Sequence, residues 1–294
     1  MILRATAKIN LALDVVRKRE DGYHEVRMIM QMIGMYDRLE IDAVSGKPGI
    51  SLSTNLPFIP TDQGNLVYRA ADLLMQDAGV TDGVRISLEK FIPVAAGLAG
   101  GSSDAAQTLI GINQLFRLGY SREKLMALGK KIGADVPYCV MQGTALAEGI
   151  GEILTPLPGM PACSILICKP NISVSTKMVY ENLHANSLTE HPDVDGMTEA
   201  IKNGDLDGIT GRLDNVLETV TVREFPIIET IKQKMKAMGA ENAIMSGSGP
   251  TVFGIFKNEK TAEACRDALR QEMPSARTFL TWPQNAKNVP DLRD

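Results

Sequence analysis

The stretch Pro93-Val94-Ala95-Ala96-Gly97-Leu98-Ala99-Gly100-Gly101-Ser102-Ser103-Asp104-Ala105-Ala106 constrains this chain more than any other. Nearly every residue from 95 to 106 is small, three glycines fall within five positions, and an apolar helical pattern follows at once. Small residues let a backbone approach a partner closely. A helix N-terminus adds unpaired N–H groups and the positive end of the helix dipole, so the combination suits an anion. Neither common nucleotide template fits. Ser102 and Ser103 stand where the loop G-x-x-x-x-G-K-[ST] needs lysine, and glycines at 97, 100 and 101 do not space as G-x-G-x-x-G. The competing reading is a Gly-rich turn that only caps the helix.

The totals narrow the partner. A chain of 294 residues suffices for one large domain or two ordinary ones. A net charge of −4 leaves no basic footprint for nucleic acid. No apolar run approaches the ~18 residues that span a bilayer, and the N-terminus opens on a strand pattern without a signal-peptide layout. Four cysteines, at 139, 163, 168 and 265, form no C-x-x-C pair, and the histidines at 24, 184 and 191 add no zinc cluster. The expectation is a cytoplasmic protein with reduced thiols and a small-molecule partner, binding neither nucleic acid nor membrane.

Residues 3–15 alternate strictly, with Leu3, Ala5, Ala7, Ile9, Leu11, Leu13 and Val15 apolar and Arg4, Thr6, Lys8, Asn10 and Asp14 opposite them. This predicts a half-buried strand with Lys8 and Asn10 on one face, roughly 6–7 Å apart. Asp21-Gly22 marks a hairpin turn. Two further strands are predicted, one through Met28, Met30 and Met32 and one over 39–43. They are followed by a strand at 50–53, a helix at 66–78 and a strand at 84–88 that feeds the glycine loop. Helices are expected at 103–115 and at 122–131, the second capped by Ser121. A break at Gly133-Ala134-Asp135-Val136-Pro137 precedes a small hairpin. Three prolines within 155–161 give the best linker signal, which places a domain boundary between 158 and 159. Beyond it come a strand at 164–168, a helix at 176–184 and a polar loop over 186–196. Helical patterns at 197–220 and 225–238 lead to strands at 243–245 and 251–256, a helix at 260–272 and a strand at 276–281. The order β-α…α-β-β-α-β suggests a split βαβ sandwich.

Three features recur at strand or loop ends: Lys8 with Asn10, the glycine loop, and Ser246-Gly247-Ser248-Gly249-Pro250. Together with Ala7-Lys8-Ile9-Asn10-Leu11-Ala12-Leu13, Asp21-Gly22-Tyr23-His24 and Gly133-Ala134-Asp135-Val136-Pro137, they resemble the motifs of the GHMP kinases over positions 7 to 251. The resemblance implies an α+β fold of two domains. Residues 1–158 would form an N-terminal α/β sandwich, and 159–294 a C-terminal ferredoxin-like (split βαβ) domain, with the active site between them. It implies an ATP- and Mg²⁺-dependent kinase, monomer or homodimer. The expected acceptor is the 2-hydroxyl of a cytidine-diphosphate-linked methylerythritol, in isoprenoid precursor synthesis. Pro93 to Asp104 would clamp the ATP phosphates, and either Ser102 or Ser103 would meet a phosphate or the metal, whose ligands stay open.

On the same resemblance, Lys8 and Asp135 are the catalytic pair. An alcohol is almost fully protonated at neutral pH, so a carboxylate must accept its proton as the O–P bond forms, and an ammonium offsets the charge on oxygen. Taken alone, Lys8 is by default a solvated lysine, and Asp135 could be an ordinary helix cap. Asn10, Tyr23, His24 and Tyr180 would bind the cytidine end by stacking and edge hydrogen bonds. Tyr23 and His24 could instead simply pack the hairpin turn. Met30 stands where family members often carry an aromatic. Facing the base it would weaken stacking, and Met30→Phe would then tighten substrate binding; the competing reading is a core stripe of methionines. Ser246–Pro250 would buttress the glycine loop. Ala95, Ala96 and Ala99, where relatives often have glycine, are expected to avoid left-handed backbone. Two rival functions remain: a GHMP kinase for another alcohol such as homoserine or mevalonate, and a nucleotide-binding module without catalysis.

Overall fold

The computed structural model describes residues 1–285. Its first sheet is built on two long strands, β1 (Ile2–Lys18) and β2 (His24–Val44), paired antiparallel across the Asp21-Gly22 turn. The sheet runs β3 (Ile50–Thr54), β4 (Gly83–Glu89), β2, β1, β8 (Asp214–Asn215), with the hairpin β5 (Thr144–Glu148) and β6 (Ile153–Leu157) added along the first half of β2. Helices α1 (Leu66–Ala78), α2 (Gly100–Leu115), α3 (Arg122–Lys130) and α4 (Val136–Met141) belong to this half. The second sheet has the order β11 (Arg277–Thr281), β7 (Ser164–Lys169), β10 (Val252–Phe256), β9 (Asn242–Met245), antiparallel throughout. That order, with α9 (Ile227–Ala237) and α10 (Glu259–Glu272) between its strands, is the expected split βαβ arrangement.

The predicted strands at 28–32 and 39–43 are one strand. Gly34 does not interrupt it, because Gly34 N–H donates to the Trp282 carbonyl and the Trp282 ring lies against the Gly34 backbone. The pattern over 197–220 divides into α6 (Val194–Lys202), α7 (Leu206–Thr210), β8 and α8 (Glu218–Glu224). Gly204, at φ 65°, breaks the first of these joins.

A larger correction concerns β1. It is buried on both faces, including Thr6, Lys8, Asn10 and Asp14. Its register against β2 slips between Thr6 and Lys8 and again between Asn10 and Ala12. The pairing moves by two residues at the first slip and by one at the second, and the strand's side chains change sides across each irregularity. Ala5, Leu13 and Val15 therefore pack into the core beneath α2, while Ala7, Ile9 and Leu11 pack into the core shared with the second sheet. Between the slips, Lys8 and Asn10 swing to the side of the glycine loop.

Candidate active site

The loop leaves β4 at Lys90 and enters α2 at Gly100. The residue before the helix, Ala99, offers no side-chain cap, so the first amides of a 16-residue helix remain free for a ligand. Ala95 (φ 51°) and Ala99 (φ 53°) are left-handed, against expectation, whereas Ala96 is not. The surroundings force this conformation. Lys8 N–H donates to the Leu98 carbonyl at 3.0 Å, and the Ser246 hydroxyl to the Gly97 carbonyl at 2.9 Å. A Cβ on Gly97 would lie 2.1 Å from the Ser246 carbonyl oxygen, so the turn 246–250 packs directly on the loop. Such over-determination holds alanine where glycine is the relaxed choice.

Of the cavities that border the loop, two meet at it and concern the site. The first, of about 440 Å³, lies over Pro93–Gly97 and Ala99–Ser102 and is closed by Phe58–Pro60, Asn65 and Leu66. The second, of about 320 Å³, holds Lys8, Asp135, Met28, Thr176 and Tyr180. Gly97, Ala99 and Ser102 line both, so the cavities meet at the loop. Ser102 therefore opens to ligands from either side. Ser103 does not: it is buried and its hydroxyl has no partner. Leu98 is likewise a core residue. Asp104, expected in the phosphate clamp, is 2% exposed beneath the loop, where it pairs with Lys90 at 2.6 Å.

Lys8 is no solvated lysine. Its Nζ donates to Asn10 Oδ1 at 2.5 Å and to the Gly97 carbonyl at 3.3 Å. Asn10 in turn is 1% exposed, with its amide Nδ2 3.2 Å from Met28 Sδ. The structure thus places Asn10 behind Lys8, orienting it, and outside the cavity wall. Asp135 begins α4 but makes no capping bond with its side chain, which leaves the carboxylate open to the cavity. Lys8 and Asp135 share the cavity without forming an ion pair with each other among the described residues.

The residues expected at the cytidine end separate. Tyr180 lines the second cavity, and the His24 ring packs against it at 5.0 Å between centroids, tilted by 45°. Burial, assisted by the Lys18 charge, lowers the His24 pKa and favours the neutral imidazole. Tyr23 is 61% exposed on the hairpin tip and lines neither cavity. Met30 is fully buried in the core, so the core-stripe reading holds and the case for Met30→Phe falls; the methionine in the cavity wall is Met28. Sequence reasoning also missed Lys90, Asp37, Asn65 and Thr176, whose hydroxyl lies 2.7 Å from that of Ser248 in the turn 246–250. Asn65 carried a usable signal as the polar residue before a helical pattern; its side chain caps α1. The other three lie far apart in sequence and gave none.

A fold of two such halves around a glycine loop matches the family models "GHMP kinases N terminal domain" at residues 65–143 and "GHMP kinases C terminal" at residues 197–275. The chain belongs to the GHMP kinase family, and it is a kinase whose phosphate donor is ATP. Its similar relatives are narrower than the family. Proteins named 4-diphosphocytidyl-2-C-methyl-D-erythritol kinase from Lachnoclostridium phytofermentans and Lachnospira eligens are 54% identical over 98% of each chain and 53% identical over 95% of this chain and 96% of theirs. A crystal structure of 4-(cytidine 5'-diphospho)-2C-methyl-D-erythritol kinase superposes with a TM-score of 0.84 at 35% identity, covering 97% of this chain and all of the other. A homoserine kinase from Cytophaga hutchinsonii, at 18% identity and TM-score 0.74, shares the fold.

Proposed function

We infer that this chain phosphorylates the 2-hydroxyl of 4-(cytidine 5'-diphospho)-2-C-methyl-D-erythritol with ATP, giving the 2-phosphate and ADP, in non-mevalonate isoprenoid precursor synthesis. One observation carries the reading beyond the relatives' names: Lys8, Asp135 and Tyr180 line one cavity that meets the loop cavity at Ser102. The larger cavity receives ATP, with its phosphates on the free amides of α2 and the loop. The smaller receives the acceptor, its base near Tyr180 and His24 and its hydroxyl at Asp135.

The alcohol proton passes to the Asp135 carboxylate as the acceptor oxygen bonds to the γ-phosphorus and the bond to ADP breaks. The Lys8 ammonium, fixed by Asn10 and the Gly97 carbonyl, offsets the negative charge of the reacting oxygens. Because phosphoryl transfer has a loose transition state, holding the two substrates in line matters more than base strength.

No group of three or more His, Cys, Asp or Glu among the described residues could hold a metal ion. That donor set fits Mg²⁺ carried on the ATP phosphates with few protein ligands, since this ion keeps several waters. Ser102, which opens to both cavities, is the oxygen donor placed to hold it, and the ion would neutralise phosphate charge. We further propose a domain boundary at 158/159, a cytoplasmic location, and a monomer or homodimer; no helix among the described residues is long and apolar enough to cross a membrane.

The test is ADP release from Mg-ATP with a panel of alcohols. Turnover with the cytidyl substrate and none with mevalonate or homoserine is expected. Turnover with either of those instead overturns the substrate assignment, and ATP binding without any turnover overturns the enzymatic one.

A further inference from the structure

Beneath the glycine loop lies a buried ionic cluster that the phosphoryl transfer itself does not use. Asp37, on β2, is fully buried. One of its oxygens accepts the backbone N–H of Ile92 at 2.8 Å and also that of Phe91, where the loop begins. The other binds the Lys90 ammonium. Lys90 reaches on to Asp104, in the second turn of α2, where the loop ends. Lys90 and Asp104 are 8% and 2% exposed.

Both ends of the loop are therefore tied through one lysine to one carboxylate on the longest strand of the sheet. Ion clusters this deep are costly to bury and contribute little net stability compared with apolar packing. This one sets two aspartates against a single lysine, and Asp104 Oδ1 has no hydrogen-bond partner. A cluster with so poor a case for stability is better explained by what it holds in place.

We propose that the Asp37–Lys90–Asp104 cluster is a positioning device that sets the span of the phosphate loop and so presents its amides to ATP. Lys90 ties the β4 end to the α2 end, and Asp37 fixes Lys90. With the span so fixed, the α2 amides stay aimed into the larger cavity. The cluster acts on the donor, since Lys90 and Asp104 border the donor cavity and none of the three residues borders the acceptor cavity. The inference rests on the reading that the loop holds ATP.

Asp37→Asn is the diagnostic variant. Asparagine still offers an oxygen to the Phe91 and Ile92 amides but removes the charge that holds Lys90. The KM for ATP is expected to rise at least ~10-fold with the acceptor KM within ~2-fold, because one lost amide hydrogen bond to a charged phosphate is worth about tenfold or more. Asp104→Ala is the second arm and decides alone if Asp37→Asn does not fold. It cuts the α2 tie and leaves Lys90 and Asp37 balanced, so the same rise in ATP KM is expected without a lower melting temperature. Asp104→Asn, which still accepts from Lys90, should recover most of that loss. The proposal is overturned if a folded variant leaves the ATP KM within ~2-fold of wild type, or raises both KM values alike as general damage would. Gly101→Leu separates this failure from failure of the site itself. Position 101 is exposed in the donor cavity and has ordinary room for a Cβ. If Gly101→Leu binds ATP normally the loop is not the ATP site; if it loses ATP while the cluster variants keep it, only the positioning proposal fails.

Discussion

The two cavities are made by different means. The donor cavity is lined largely by one continuous stretch of small residues, and its polar groups are backbone amides at the start of α2. The acceptor cavity takes side chains from β1, β2, the start of α4, the helix α5 (Thr176–Asn182) and the turn at 246–250. Backbone recognition needs only that side chains be absent, so it can be written in consecutive residues. Proton transfer and charge stabilisation need particular functional groups converging in space, so they are gathered from elements up to hundreds of residues apart. The first arrangement holds a ligand, and the second acts on it.

If that division holds, substitutions in the acceptor cavity should strike turnover and spare ATP. The largest effect is expected at Asp135. Asp135→Asn removes the proton acceptor without changing shape, and steady-state kinetics should show kcat lowered by roughly 10²–10⁴ with the ATP KM nearly unchanged. Lys8→Ala comes next, with kcat down by about 10²–10³. Here the division should blur, because Lys8 also donates to the Gly97 carbonyl in the loop. A rise of a few-fold in ATP KM is therefore expected for Lys8→Ala and not for Asp135→Asn, and equal ATP effects in the two would break the comparison.

The donor side has a pH signature. Burial, with the neighbouring Asp37 charge adding and Lys90 opposing, pushes the Asp104 carboxyl up to about 8 from 3.8. Between those values the folded state holds a proton that the unfolded state has lost. The contribution to stability is thus fully present below 3.8 and is lost as pH rises towards about 8. Urea unfolding of wild type and Asp104→Asn across this window should diverge, with the wild type falling more steeply as pH rises. Parallel curves would show that Asp104 does not titrate there. The smallest effect concerns the left-handed alanines. Ala95→Gly and Ala99→Gly should each stabilise the fold by about 0.5 kcal/mol, the ~1–2 kcal/mol strain of left-handed alanine less the ~0.4–1 kcal/mol of added unfolded-state freedom. Thermal melts check this, and a loss of stability would mean the alanines are not strained.

Legibility followed the same division. The loop, the helix after it and the ferredoxin-like strand order were all visible locally, as small residues and periodicity. Lys8 and Asp135 were found by likeness to a family, because alternation alone put Lys8 on a solvated face. The two register slips in β1 that turn it inward depend on pairing with β2, and no pattern within β1 reveals them. Asp37 and Lys90 were invisible for a related reason: each looks like an ordinary charged residue at a strand end until β2 and β4 pair. The left-handed Ala95 and Ala99 show local preference overruled by the packing of Ser246 and Lys8 on the loop. Met28 and Met30 share a composition and a strand, and only packing tells which one meets the cavity.

The central claim is that phosphate crosses from one cavity to the other at Ser102. A crystal structure with a non-hydrolysable ATP analogue and the cytidyl acceptor tests it most directly. The account predicts the analogue's phosphates on the amides of Gly100 to Ser102 and the acceptor hydroxyl within about 2.6–3.2 Å of an Asp135 oxygen, in line with the γ-phosphorus. An acceptor hydroxyl out of reach of Asp135, or a nucleotide seated away from the glycine loop, would contradict it.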